Sequence, residues 1–182
     1  MASKLVYGGI DPGKAGVICL MYESGKVEHH QIPLLNKDYD QVALANFFRN
    51  LKGVYSRKRI HFVLEDVNCD PNWGAKQNWS MGGCIHLFKQ IFACYRIPFT
   101  LVHAKTWQKE MHQGVKPIFK PLTAVQKKAN RVNGAKDVKA MSIAAAMRLF
   151  PDIDFRKSTR CKNLDDNKVD ATLLALYGKR HF

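Results

Sequence analysis

The sequence predicts an α/β fold, a mixed five-stranded sheet flanked by helices. Two observations carry this. Three short apolar, β-prone runs at 5–11, 16–22 and 26–33 follow one another with only tight turns between them. Two further β-like runs, at 60–65 and 98–103, are separated from these and from each other by stretches of helical periodicity. A sheet that begins as an antiparallel meander and continues through helical crossovers is mixed by construction.

Each element has its own local reason. Asp11-Pro12-Gly13 closes the first strand, and Glu23-Ser24-Gly25 separates the second from the third. Over 38–55 the period changes, with Val42, Ala45, Phe48 and Leu51 recurring at helical spacing. Phe62-Val63-Leu64 is an unbroken apolar run, which predicts a strand covered on both faces. A loop rich in Gly, Asn and Trp follows over 66–79. Ser80 suits an N-cap for a helix to about 95, with Ile85, Phe88, Ile91, Phe92 and Tyr95 inward. Helical character returns over 137–149 (Ala140, Ile143, Ala144, Met147, Leu149), is stopped by Pro151, and returns again over about 165–177. The order βββ-α-β-α-β-α-α contains no repeat and no linker. It predicts one domain over 1–182 with a basic loop at about 111–136.

The chain has 182 residues, 46% apolar and 24% charged, the mix of a globular protein rather than a disordered one. Lysine and arginine total 29 against 15 acids, a net charge of +14. Such an excess opposes compaction and suits a polyanionic partner. The apolar stretch at 15–22 is far shorter than the roughly 20 residues that span a bilayer, and nothing reads as a signal peptide. The cysteines (Cys19, Cys69, Cys84, Cys94, Cys161) are odd in number, scattered, and form no CxxC pair, as reduced thiols do. The expectation is an intracellular protein of the cytoplasm or nucleoid, or of an organelle if a transit peptide has been removed, with no membrane partner.

Acids are scarce, so their placement informs. Asp11 ends the first strand and Glu65 the fourth, where a buried strand delivers side chains to the sheet edge. Asp166 and Asp170 stand four apart, on one face of the last helix. Four carboxylates from three elements supply the oxygen ligands that one or two Mg²⁺ ions require. Taken singly, each has an ordinary explanation: a turn at Asp-Pro-Gly, a surface charge at Glu65, helix capping at Asp165-Asp166. Asp165, at the helix start, suits a cap better than a metal ligand.

Gly9-Ile10-Asp11-Pro12-Gly13 with Gly16 resembles the opening motif of RuvC-type Holliday junction resolvases, and Val63-Leu64-Glu65 resembles their second acidic strand end. Asp166 and Asp170, within Asp-Asp-Asn-Lys-Val-Asp-Ala, resemble their C-terminal acidic helix. The segment Lys76-Gln77-Asn78-Trp79-Ser80-Met81-Gly82-Gly83, Thr106-Trp107, and residues 136–151 and 174–178 are similar to the plastid and phage branches. The bacterial members space their last two acids three apart, which here places Asn167 rather than Asp166 at that position. The resemblance implies an RNase H-like fold and a homodimer that nicks opposing strands of four-way DNA junctions. It implies Asp11, Glu65, Asp166 and Asp170 as catalytic residues holding two Mg²⁺ ions, with Mn²⁺ as a substitute.

Other features are weighed against simpler roles. Trp73, Trp79 or Phe119 suits stacking on bases opened at a crossover, while Trp79 equally suits anchoring a turn. Leu87 and Cys94 flank the main stripe of the 80–95 helix, which fits either a fully buried helix or, by the resemblance, a dimer face. His29-His30 reads as solvated. Cys84 and His86 lack the partners a zinc site needs. Lys105 and Lys109, one turn apart, suit phosphate contacts, as do Lys76, Lys116, Lys120, Lys127, Lys128, Arg131 and Lys136. Two other readings stand beside the nuclease. One is a branched-DNA-binding protein without catalysis. The other is an actin-like or sugar-kinase-like ATPase, whose first phosphate motif also reads Gly-Ile-Asp-x-Gly, but whose second motif and length this chain lacks.

Residues 111–136 hold six of these cations, Lys116, Lys120, Lys127, Lys128, Arg131 and Lys136, and no acid. Neutralising Lys127, Lys128 and Arg131 together should flatten the slope of log affinity against log salt by roughly 0.9 for each phosphate left without its cation. Fluorescence anisotropy with a labelled junction measures it. An unchanged slope would leave these charges a role in solubility alone.

Overall fold

A computed structural model of the protein describes residues 5–56, 59–128 and 132–182, with the backbone alone at 128. The strands are β1 (Val6–Asp11), β2 (Val17–Tyr22), β3 (Val27–Gln31), β4 (Leu34–Leu35), β5 (Asp38–Tyr39), β6 (Ile60–Asp66) and β7 (Phe99–His103). The helices are α1 (Gln41–Val54), α2 (Ala75–Tyr95), α3 (Ala104–Met111), α4 (Ala124–Lys128), α5 (Val138–Leu149) and α6 (Asp166–His181). The main sheet runs β3-β2-β1-β6-β7, five strands as the sequence predicts. β1, β2 and β3 form the antiparallel meander, and β6 and β7 join β1 in parallel.

Strand alternation sorts the core into two layers. Ile18 and Leu20 of β2, with Phe62 and Leu64 of β6, face α1 and α2, where Phe48, Phe62, Phe88 and Phe92 meet in a cluster of mostly edge-to-face rings. Val17, Cys19 and Met21, with Val63, face α6 and its neighbours. The same parity puts Asp11 and Glu65 on the α6 side.

α6 lies directly on β1. A Cβ at Gly9 would stand 2.1 Å from Ala171 O and 2.3 Å from Ala175 N, so only glycine permits this approach. A Cβ at Gly178 would come within 2.9 Å of Val63 Cγ2. Because it is pressed between β1, β2, β6, α3 and α5, α6 buries Val169, Ala171, Thr172, Leu173, Leu174, Ala175 and Gly178, not a single stripe. Leu176, on the same helix, is only partly buried.

Four local expectations give way to the structure. α2 starts five residues before Ser80, capped at Gly74. Asn78, inside the helix, clamps the preceding loop: its Oδ1 accepts from Asp70 N at 3.0 Å and its Nδ2 donates to Asp70 O and Trp73 O. The loop thereby satisfies itself without a side-chain cap. His29 is not solvated: Thr172 spends its hydroxyl proton on Lys168 O (2.7 Å), so His29 Nε2 donates to the Thr172 oxygen, also at 2.7 Å. Burial lowers the His29 pKa to about 4. The β4–β5 hairpin, which turns through Asn36 and Lys37 at positive φ, is additional to the elements the sequence predicts. So is α3, which the sequence marks only by a pair of basic residues. No helix among the described residues is long and apolar enough to cross a membrane.

Since the Gly9 clash is with backbone, no rotamer relieves it. Gly9→Ala should lower stability by about 3 kcal/mol, read as a lower urea midpoint with an unchanged slope. A midpoint equal to wild type would mean that α6 does not press on β1.

Candidate active site

Asp11 and Glu65 emerge side by side. β1 and β6 are parallel and pair Ile10 with Leu64, so each acid is the next residue on its strand. The chain leaves Asp11 through Pro12 and Gly13, whose φ of +131° suits glycine, and closes with Gly16 N on Gly13 O at 3.0 Å. From the other direction α6 brings Asp166 at its first residue and Asp170 one turn later. Asp165 is the N-cap, accepting from Asn167 N at 3.1 Å, as its position in the sequence suggests.

The four acids act on one another. Asp11 is pushed well above the usual carboxylate range, first by burial and then by the charges of Glu65, Asp170 and Asp166. Asp170 is pushed up to about 7, again by burial first and then by Glu65, with Ser142 opposing. Glu65 is raised by burial and lowered by a hydrogen bond from the Trp107 indole, Nε1 to Oε1 at 3.1 Å. Among the described residues, one cation answers this charge. Lys139, near the start of α5, pairs with Asp166, and its own pKa is raised chiefly by that partner.

The donor set suits a hard divalent cation: all oxygen, largely desolvated, with Asp170 Oδ1 buried and lacking any hydrogen-bond partner. As the side chains stand, no three His, Cys, Asp or Glu residues among the described ones lie at metal-ligand spacing. Asp166 is paired with Lys139, and Glu65 accepts from the Trp107 indole.

The remaining candidates fall around this centre to differing degrees. Lys76 and Trp79 line a groove of about 330 Å³ with Lys14 and Tyr39, and Lys14 sits three residues after Asp11. Trp79 is 85% exposed. Trp73 is half-buried and Phe119 is exposed. Lys105 and Lys109 are exposed on α3, and Lys116, Lys120, Lys127 and Lys136 are exposed along the basic segment. Its two ends are joined by Lys120 N on Ala135 O and Asp137 N on Ile118 O, both 2.8 Å, immediately before α5. The side chain of Lys128 and all of Arg131 lie outside the described residues. Cys84 is buried in the core and makes no metal site among the described residues.

Three residues of the site are not assigned a role there by the sequence: Trp107, Lys139 and Ser142. Trp107, though part of the resembling Thr106-Trp107 pair, stands between two lysines that suit phosphate. Lys139 and Ser142 stand a turn apart within the resembling 136–151 segment, where the apolar positions show the pattern.

This is the RNase H-like α/β arrangement, with carboxylates gathered at one end of the central strands. Among solved structures, the chain is similar in fold to "T. thermophilus RuvC in complex with Holliday junction substrate", at TM-score 0.56 and 9% identity over 97% of both chains. A second Thermus thermophilus RuvC structure aligns at TM-score 0.47 and 14% identity, over 94% of this chain and 92% of that one. No protein-family model and no curated protein matches the chain.

Raised carboxyl pKa values make a signed prediction. A group that binds its proton more tightly folded than unfolded stabilises the fold below its unfolded pKa, and that contribution is lost as pH rises through the folded one. For Asp170 the window runs from the ordinary 3.8 to about 7. In EDTA the protein should therefore melt at a lower temperature at pH 8 than at pH 5. Asp170→Asn should recover much of the difference. Equal melting at both pH values would show that the acids are not buried together.

Proposed function

We propose that the protein is a metal-dependent, structure-selective DNA endonuclease that resolves four-way junctions by paired symmetric nicks, of the plastid and phage type of RuvC-like resolvase. The observation that carries this reading is the convergence of Asp11, Glu65, Asp166 and Asp170 at one sheet end, in a basic chain with a RuvC-like fold. These four would hold two Mg²⁺ ions, with Mn²⁺ able to substitute. When bound, such ions activate the attacking water and stabilise the leaving 3′-oxygen.

The chain's own groups do the rest. Asp11 and Glu65 are fixed by adjacent strand ends and Asp170 by a buried helix, so little reorganisation of the acids is needed. Lys139 balances the acids and must leave Asp166 for that carboxylate to serve as a ligand. Lys76, Lys105, Lys116, Lys120, Lys127, Lys128, Arg131 and Lys136 bind backbone phosphates, and Trp79 offers a face for an unstacked base. The exposed face of α2 beyond Trp79, along an apolar groove of about 530 Å³ at Gly82, Gly83 and His86, is the homodimer surface. Phe88 lies in the core and plays no part in it. One domain acting on DNA inside the cell, at the nucleoid, completes the reading. The Lys139–Asp166 pair is also what favours the alternative of a junction-binding protein that does not cut.

Nicking of a mobile junction should appear with Mg²⁺ or Mn²⁺ and vanish with chelator. Asp11→Asn, Glu65→Gln and Asp170→Asn should each abolish cutting while junction binding persists. Asp166→Asn should cut weakly, and Asp165→Asn should keep most activity at a cost of about 1 kcal/mol in stability. Wild type that binds junctions but never nicks them would select the non-catalytic alternative. An inactive Asp165→Asn beside an active Asp166→Asn would move the third ligand to Asp165.

A further inference from the structure

α3 is the element the sequence concealed, and it stands against the acid cluster. β7 pairs Val102 with Glu65, the chain turns at His103, and α3 brings Trp107 back over the end of β6. Trp107 is wholly buried, and its indole N–H donates to Glu65 Oε1 at 3.1 Å. Among the described residues this is the one side-chain hydrogen bond that Glu65 makes. Just beyond α3, His112 Nε2 lies 3.1 Å from the hydroxyl of Ser142, the buried residue that acts on Asp170.

A buried indole always seeks an acceptor, and a backbone carbonyl would satisfy it at little cost. Here the acceptor is a largely desolvated carboxylate beside three other acids, an expensive choice if packing were the only purpose. We propose that Trp107 is a positioning residue: its N–H holds one oxygen of Glu65, fixing the carboxylate plane so that the second oxygen is presented to a divalent cation. This rests on the nuclease reading above. Groups that orient metal ligands typically contribute 10- to 100-fold to metal affinity or activity.

The test measures Mn²⁺ binding by electron paramagnetic resonance on the full chain without DNA. Trp107→Phe removes the donor and keeps a buried ring. Replacing Trp107 with benzothienylalanine exchanges N–H for sulfur in the same shape, and carries the test if the Phe variant folds poorly. Both should bind Mn²⁺ at least 10-fold more weakly and need correspondingly more Mg²⁺ for half-maximal nicking. Saturating metal should restore the nicking rate, and the junction Kd should stay within twofold of wild type. A merely structural role would lower the melting temperature and leave Mn²⁺ affinity unchanged, which overturns the proposal. Glu65→Gln separates the two claims. If it loses Mn²⁺ binding while the Trp107 variants keep it, only the positioning role falls. If it binds Mn²⁺ as wild type does, the metal-site reading falls and the positioning role with it.

Discussion

The burial of four acids together, Asp11, Glu65, Asp166 and Asp170, is the constraint around which this molecule is arranged. Removal from bulk water raises the pKa values of Asp11, Glu65 and Asp170 first, and the neighbouring acids raise those of Asp11 and Asp170 further, so the cluster opposes folding. The surrounding structure has to supply the compensation. It does so with two aromatic-rich and aliphatic layers on opposite faces of one sheet, and with a single ammonium group from α5.

Position follows from rigid elements rather than from loops. Asp11 and Glu65 are delivered by neighbouring parallel strands whose register is set by burial on both faces. Asp170 projects from a helix buried on nearly every side, so its direction is fixed by packing before any ligand arrives. By contrast, the cationic residues lie on exposed helix surfaces and along a segment whose two ends are joined before α5. Rigid acids and adaptable cations suit a partner whose backbone is uniform in charge but variable in path.

Much of the architecture is written locally. The turn at Asp11-Pro12-Gly13, the apolar run Phe62-Val63-Leu64 and the helical period at Val42, Ala45, Phe48 and Leu51 each specify their own element. The parity that places Asp11 and Glu65 on one face follows from those strands. What was not legible depended on long-range partners. The early start of α2 requires Asn78 to reach back to Asp70 and Trp73. His29 looks like a surface residue until Thr172, 143 positions away, is placed beside it. Trp107 and Lys139 acquire their meaning only through Glu65 and Asp166. A periodic pattern reports which side of an element is buried, not which group it is buried against.

The adjacent glycines of β1 have a further consequence for how such a sequence can diverge. A Cβ at Gly8 would fall 2.0 Å from the Phe62 ring on one face, and one at Gly9 would strike the α6 backbone on the other. Core positions such as Ile10 or Leu20 can exchange for other apolar residues while neighbours repack. At Gly9 every available replacement adds the same offending atom to the same immovable backbone. Substitution can thus rewrite much of the hydrophobic interior while β1 stays pinned where it is thinnest. The least chemically endowed residues in the chain are among those with the fewest alternatives.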